Sequence, residues 1–222
     1  MKRPPEDKLG QLKEYLKFLN EIGLDSLDSC CESGPRSWLI PQIERAILNC
    51  RRCHLAMTRS RAVPGEGNWQ AELMFVGEAP GEEEDKQGRP FVGRAGQLLT
   101  RIIEAMTFKR EEVFITNVVK CRPPQNRTPR QEEIQTCAPY LEAQIRLIKP
   151  KVIVALGKVA ADFFIPGNLG MGELRGNFFY YEGIPVMPTY HPAFVLRNEG
   201  RKEIKQRVWQ DMKKVMALLG RR

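Results

Sequence analysis

The sequence predicts an α/β fold with a parallel sheet that is covered by helices on both faces. Four short runs are predominantly apolar, which is typical of strands buried on both faces. Segments with apolar residues at helical spacing separate these runs, and this alternation of strands and helices favours parallel pairing. The strand-like runs are residues 73–76, 113–118, 152–156 and 185–189, and the helical segments between them are residues 95–106, 129–148 and 158–164.

The length and composition are those of one globular domain of ordinary size. The chain has 222 residues, of which 42% are hydrophobic and 28% charged, as in soluble proteins. It contains no apolar run of about 18 residues that could cross a membrane. The first residues also lack the apolar core of a signal peptide. We therefore expect a cytoplasmic protein that does not contact membranes.

An additional helix precedes the main domain. Leucines and an isoleucine recur at helical spacing over residues 9–23, and Gly23 is a plausible end for this helix. Residues 25–37 read as a linker because they are rich in turn-forming residues. The sequence thus predicts an N-terminal helical extension and linker over residues 1–38, followed by a domain over residues 39–222. A helix over residues 41–49 leads into Cys50.

The C-terminal segment is a basic amphipathic helix, predicted over residues 199–219. Residues 197–222 hold nine Lys and Arg against three Asp and Glu, so they carry +6 of the total net charge of +8. Concentrated positive charge is what phosphate binding needs. A solvated helix face is the alternative interpretation.

An acidic segment follows the first predicted strand. Residues 77–92 contain four consecutive acidic residues, 82–85, between glycines and prolines. Dense negative charge is unsuited to a core, so we predict a loop shaped around a ligand. The Gly-Lys-Ser/Thr ending of a phosphate-binding loop is missing. Carboxylates can stabilise a developing cation or position a water, and crowding of like charges can raise the pKa of one of them. An acidic surface turn would show the same pattern.

Polar and glycine positions lie at the ends of all four predicted strands. They are Gly77 with Glu78, Asn117, Gly157 and His191. In open α/β sheets the ligand crevice lies at these carboxyl ends. An Asn there can read the edge of a nucleobase with its donor and its acceptor, or it can bridge backbone. His191 precedes a proline that fixes the turn, which favours a rigidly mounted donor over a merely structural histidine.

Four of the six cysteines are spaced like metal ligands. A Cys-x-x-Cys pair can bind one metal from a single turn, and two distant thiolates can complete the set. Disulfides are not expected in a reducing compartment. Zinc and an iron–sulfur cluster remain open on residue chemistry alone, and the adjacent Cys30 and Cys31 are predicted not to be ligands. The candidate ligands are Cys50, Cys53, Cys121 and Cys137.

Together these motifs resemble the family 4 uracil-DNA glycosylases, the iron–sulfur branch of the uracil-DNA glycosylase superfamily. The resemblance runs from about Cys50 to Trp209. It comprises the Cys-x-x-Cys pair, Gly-Glu-Ala-Pro-Gly, Gly-Arg-Pro-Phe-Val-Gly, Thr-Asn-Val-Val-Lys-Cys-Arg-Pro-Pro and Tyr-His-Pro. It implies a [4Fe–4S] cluster on the four cysteines. It also implies a three-layer α/β/α domain with a central four-stranded parallel sheet.

The resemblance also implies a uracil pocket. Backbone at Gly77, Glu78 and Ala79 would line it, and Phe91 would stack on the extruded base. Asn117 would bind the N3–H and O4 edge of uracil, which cytosine cannot match. His191 would donate to O2 as negative charge builds on the leaving base.

A carboxylate is expected beside the sugar, because the glycosidic bond breaks through an oxocarbenium-like state. The candidates are Glu78, Glu84 and Asp85, with His191 as the fourth catalytic residue. Family 1 relatives have an aspartate where this chain has Ala79, so the acid is not assigned. The resemblance gives Lys86 and Lys120 no Schiff-base role. We therefore expect a monofunctional enzyme that leaves an abasic site.

The implied partner is uracil-containing DNA, single- or double-stranded, with the target base flipped out. Leu196 and Arg197 are the candidates for DNA contact and for the wedge that fills the gap. We expect a monomer, with a sliding clamp as a candidate partner. The main alternative is a non-catalytic iron–sulfur DNA-binding module associated with a polymerase. An iron–sulfur redox carrier is disfavoured because it has no use for a base-reading Asn.

Overall fold

The computed structural model describes residues 39–221. The chain divides into two compact units between Ala46 and Ile47, and the sheet and both cavities below belong to the second unit. The helix expected over residues 9–23, its linker, Cys30 and Cys31 lie outside the described residues. The domain boundary expected after residue 38 stays a prediction.

The sheet confirms the predicted parallel arrangement and extends it. Its central four strands, β3, β2, β4 and β6, are parallel. Two short strands, β1 and β5, pair antiparallel at the two edges, giving the order β1-β3-β2-β4-β6-β5. At two and three residues, the edge strands are too short to show a periodicity. The strands are β1 Glu66–Gly67, β2 Leu73–Gly77, β3 Phe114–Asn117, β4 Val152–Leu156, β5 Phe179–Tyr181 and β6 Ile184–Thr189.

The helices predicted after residue 38 are present, with ends that shift by three residues at most. None of the helices within residues 39–221 is both long and apolar enough to cross a bilayer. Two single turns of 3-10 helix, Arg110–Glu112 and Pro124–Asn126, lie on either side of β3. The α-helices are α1 Leu39–Leu48, α2 Leu55–Thr58, α3 Glu82–Gln87, α4 Arg94–Ala105, α5 Gln131–Ile148, α6 Lys158–Phe164, α7 Met171–Leu174, α8 Pro192–Arg197 and α9 Lys202–Leu218.

The acidic run is a helix, so the loop predicted over residues 77–92 was wrong for the part from Glu82 to Gln87. All four acidic side chains lie in the first turn of α3, where the positive end of the helix dipole stabilises negative charge. Gly88 ends the helix in the left-handed conformation, with φ of 72°, as is usual for a terminating glycine.

The parallel register brings the polar strand ends to one edge of the sheet. Gly77 at the end of β2 is paired with Asn117 at the end of β3, and Leu156 of β4 is paired with Thr189 of β6. Both β2 and β4 are buried along their whole length. Their side chains on one face join those of α4 and α9 in a single apolar cluster. This cluster holds the edge of the sheet rigidly.

The chain between α3 and α4 makes a tight turn at Phe91. Phe91 has a φ of 50°, a left-handed conformation that costs an aromatic residue about 1–3 kcal/mol. Its carbonyl packs against Gly96 in the first turn of α4. A Cβ atom on Gly96 would lie 1.9 Å from the Phe91 oxygen. Only glycine fits there without moving the backbone that carries Phe91.

We predict that Gly96→Ala destabilises the protein by about 1–3 kcal/mol, the usual cost of overpacking a rigid site. The matched control is Gly172→Ala in α7, where a Cβ atom would meet nothing within 4 Å. Alanine has the higher helix propensity, so this control is expected to be neutral or stabilising. Denaturant unfolding of both variants measures the difference. Equal stability of the two variants would contradict the packing argument.

Candidate active site

A cavity of about 640 Å³ opens at the carboxyl ends of the parallel strands. It is the place where the sequence predicted a ligand crevice. Sequence-predicted residues from four separate chain segments converge on it. The predicted residues in its lining are Glu78, Ala79, Glu84, Phe91, Asn117, Gly157, His191 and Arg197.

Asn117 presents a buried acceptor that has no partner. The residue is 2% exposed, and its Oδ1 atom makes no hydrogen bond to any described residue. The backbone is fixed, since the N–H groups of Val118 and Val119 donate to the carbonyls of Gly77 and Glu78 at 2.9 and 3.0 Å. An unpaired buried acceptor costs about 1–3 kcal/mol. Its persistence on so rigid a segment indicates that a ligand donor completes it.

Gly77 keeps open the space in front of this amide. A Cβ atom on Gly77 would lie 2.4 Å from the Asn117 Oδ1 atom and 2.5 Å from the Cζ atom of Phe91. Gly77 therefore contributes a bare backbone, with no side chain between the amide and the aromatic ring. The predicted pocket residues Gly77, Phe91 and Asn117 are thus brought together.

Phe91 forms an aromatic wall beside His191. The Phe91 side chain is buried, and the two rings lie 5.7 Å apart between centroids with a tilt of 32°. Glu84 holds the turn that carries Phe91, because its Oε1 atom accepts the N–H groups of Val92 and Gly93 at 2.8 and 2.9 Å. At least one carboxylate oxygen of Glu84 therefore positions the turn that carries Phe91.

His191 is held as a neutral donor. It caps α8, and its Nδ1 atom accepts the Ala193 N–H at 3.1 Å. An accepting Nδ1 carries no proton, so Nε2 carries it in the neutral ring. Burial, and secondarily the charge of Arg197, lowers the pKa of His191 to about 4. Gly157 permits the close packing of the ring, since a Cβ there would lie 3.0 Å from the His191 Cβ.

Of the three predicted carboxylates, Glu78 is the one that lines the cavity and makes no hydrogen bond to a described residue. It is half-buried, and burial raises its pKa, while Arg197 opposes the shift. A carboxylate in this position can orient water or stabilise positive charge on a sugar.

Two predicted site residues lie elsewhere. Asp85 is 3% exposed and is not in the cavity lining, since its carboxylate accepts the Ser60 N–H at 3.0 Å and the Arg61 N–H at 3.3 Å. This geometry does not support a catalytic role for Asp85, because the backbone donors hold it away from the cavity. Leu196 is also absent from the lining, whereas its neighbour Arg197 is exposed at the rim.

The sequence reasoning missed a further wall of the cavity. Pro123, Asn126, Arg127 and Thr128, from the turn after Cys121, line it. Tyr190 and Phe194, whose rings lie 5.0 Å apart, line the side next to His191. The signal for the first group was the Pro-Pro-Gln-Asn-Arg-Thr-Pro turn of residues 123–129, which follows Cys121 on the chain that leaves the same sheet edge as Asn117.

The four candidate metal ligands line a second, small cavity together. The Arg59 guanidinium donates to the Cys121 Sγ atom at 2.8 Å, and the Lys120 N–H donates to the Cys137 Sγ atom at 3.3 Å. Burial raises the pKa of Cys121 to about 11 and that of Cys137 to about 12. Ligation would therefore require a metal that displaces the thiol protons. As placed, no three Cys, His, Asp or Glu side chains within residues 39–221 meet the requirements of a metal-ion site.

Comparison with known proteins identifies the family of this chain. A family model described as the uracil DNA glycosylase superfamily matches residues 64–213. The chain belongs to this superfamily. The matched segment contains the whole cavity, with Cys121 and Cys137, and begins after Cys50 and Cys53.

Superfamily relatives cover most of the chain. A type-4 uracil-DNA glycosylase of Thermotoga maritima is 46% identical over 186 residues, which are 83% of this chain and 96% of that protein. A type-4 uracil-DNA glycosylase of Sulfurisphaera tokodaii is 47% identical over 191 residues, 81% of this chain and 84% of that protein. The resemblance to family 4 is thereby confirmed.

The neutral state of His191 can be measured directly. The chain has two histidines, so His54→Gln leaves His191 as the only imidazole signal in an NMR titration. We expect it to titrate near pH 4 with its proton on Nε2. Because the unfolded chain takes up this proton nearer the ordinary value of 6.5, stability should fall as the pH drops from 6.5 towards 4. A titration near pH 6.5 in the folded protein would contradict the assignment.

Proposed function

We propose that this protein is a monofunctional uracil-DNA glycosylase. It hydrolyses the N-glycosidic bond of deoxyuridine in DNA, releases uracil and leaves an abasic site. The observation that carries the proposal is the unpartnered amide oxygen of Asn117, which faces a cavity bounded by Phe91 and a neutral His191. The type-4 relatives support the proposal, since both are uracil-DNA glycosylases.

The amide explains the choice of base. Uracil offers an N3–H donor next to the O4 acceptor, and the Asn117 carboxamide offers the complementary acceptor and donor. Cytosine has an unprotonated N3 and a donating amino group, so it would place an acceptor against Oδ1. The buried polar groups would then stay unpaired, which is how such sites reject close analogues.

The neutral histidine explains how the leaving group is stabilised. As the glycosidic bond breaks, negative charge accumulates on uracil, and the Nε2–H of His191 can donate to its O2 atom. A donor fixed in advance contributes about 10²–10³ in rate. A neutral donor keeps its proton in the site, so the base can depart as a stabilised anion. Glu78 is our candidate for the carboxylate that stabilises the sugar cation and orients the attacking water.

The target base reaches the cavity by flipping out of the duplex, which costs a few kcal/mol. Arg197, exposed at the cavity rim, and Leu196 beside it are our candidates for contact with the DNA strand. On α9 the apolar stripe is buried, while Lys202, Lys205 and Arg207 are exposed. These charges are suited to phosphate. A monomeric state, a sliding-clamp partner and a cytoplasmic location stay predictions.

We also propose that the four cysteines hold a [4Fe–4S] cluster. The donor set fits, because four thiols and the cationic Arg59 surround one cavity. Four thiolates also suit a single zinc ion, and the choice of the cluster follows from the resemblance to the iron–sulfur family 4. In a cluster each thiolate would bind an iron. When bound, it would tie the Cys50–Cys53 turn to the segments that carry Cys121 and Cys137.

The activity is tested by incubating uracil-containing and control oligonucleotides with the protein and then cleaving abasic sites with alkali. Strand breaks are expected only at uracil. Asn117→Asp should slow excision by about 10² or more, because it replaces the amide donor with a second acceptor. The matched control is Asn68→Asp, the same chemical change at an exposed position. The absence of breaks at uracil would refute the proposal, and equal rates in the two variants would remove Asn117 from its role.

The cluster is tested by anaerobic purification followed by iron and sulfide analysis. We expect brown protein that contains both elements, and we expect Cys137→Ala to lose them. Cys30→Ala is the control, because Cys30 is predicted not to be a ligand. Colourless, zinc-loaded protein would contradict the cluster.

A further inference from the structure

Lys120 is a buried charged residue that the proposed reaction does not use. It is 1% exposed and follows Val119 in the segment that leaves β3. Its Nζ atom donates to the Thr116 hydroxyl oxygen at 2.6 Å, to the Asn117 carbonyl oxygen at 2.8 Å and to the Gln144 Oε1 atom at 2.6 Å. Three acceptors match the three protons of an ammonium group.

The acceptors are themselves fixed. The Thr116 hydroxyl and the Gln144 side-chain amide both donate to the carbonyl of Pro64, at 3.0 and 2.7 Å. Both residues are fully buried. The Lys120 ammonium therefore lies in a closed hydrogen-bond network that joins β3, α5 and the chain before β1. The Asn117 carbonyl is bound by this network.

The same residue contacts the cysteine cavity. Its backbone N–H donates to the Cys137 Sγ atom, and Cys121 is the next residue. Its carbonyl accepts the Val63 N–H at 2.8 Å. One residue thus touches the carbonyl of the base-reading Asn117 on one side and a candidate cluster ligand on the other.

Stability alone does not account for a lysine here. A buried charge loses its hydration, and apolar side chains of similar size are often as stable or more stable at such positions. The Lys120 side chain instead binds the backbone carbonyl of Asn117, the residue whose amide oxygen has no partner. Recognition of a base edge needs that amide held within a fraction of an ångström.

We propose that Lys120 is a positioning residue for uracil recognition. Its ammonium group holds the Asn117 backbone so that the carboxamide faces the base, and its backbone lies beside two candidate cluster ligands, Cys121 as the next residue and Cys137 through a hydrogen bond. The inference rests on the proposed function, and it assigns Lys120 no contact with the substrate.

A double-mutant cycle tests the inference. Single-turnover excision is measured for the wild type, Lys120→Met, Asn117→Ala and the double variant. If Lys120 acts through Asn117, Lys120→Met should slow excision about tenfold in the wild-type background and less than about twofold when Asn117 is already alanine. The same loss in both backgrounds would show a merely structural role and overturn the inference.

Two further variants keep the test decisive. Gln144→Met removes one acceptor and keeps the lysine, so it replaces Lys120→Met in the cycle if that variant fails to fold or loses iron. Ile148→Ala, a buried residue at the end of the same helix, is the control for lost stability. It should change the rate by the same factor in both backgrounds.

Equilibrium dialysis with labelled uracil gives a readout that does not depend on turnover. Lys120→Met or Gln144→Met should weaken uracil binding about tenfold while the iron content stays that of the wild type. Unchanged binding would overturn the inference. A wild-type protein that leaves uracil in DNA would instead refute the proposed function, and the inference would then be decided by dialysis alone.

Discussion

The pairing of Gly77 with Asn117 at the ends of two parallel strands is the constraint on which the site depends. The register sets the amide beside a residue without a side chain, so the amide oxygen faces open space and the ring of Phe91. A shift of one residue would turn Asn117 to the other face of the sheet. The buried strands and the apolar cluster beneath them hold this register, so the core indirectly keeps the pocket open.

The cavity combines a neutral hydrogen-bond donor with one acidic and one basic side chain. His191 is kept neutral by burial and by its backbone hydrogen bond, while Glu78 brings a negative charge and Arg197 a positive one. A base that leaves as an anion meets a fixed donor, and a sugar that becomes cationic meets a carboxylate. The strained turn at Phe91 and the unpaired Asn117 acceptor both lower the stability of the folded protein. A bound ligand can offset this cost.

The sequence predicted most of the sheet and the base-facing residues, and the reasons are local. Strands β2 and β4 are continuous apolar runs, and α5 and α9 are long enough to show a helical period. The acidic helix α3 is only six residues long and has no apolar stripe, so nothing in its pattern distinguished it from a loop. Glu84 and Asp85 are neighbours in sequence. Only the helix geometry shows that one faces the cavity while the other binds the backbone of residues 60 and 61.

The central claim is that the Asn117 amide reads the N3 edge of the base. Titration calorimetry of the wild-type protein with uracil, 1-methyluracil and 3-methyluracil tests it most directly. The methyl group at N1 occupies the position of the sugar, so 1-methyluracil should bind like uracil. The account predicts that 3-methyluracil, which cannot donate from N3, binds about tenfold more weakly or worse, as expected for a buried acceptor left unpaired. Equal affinity for all three compounds would contradict it.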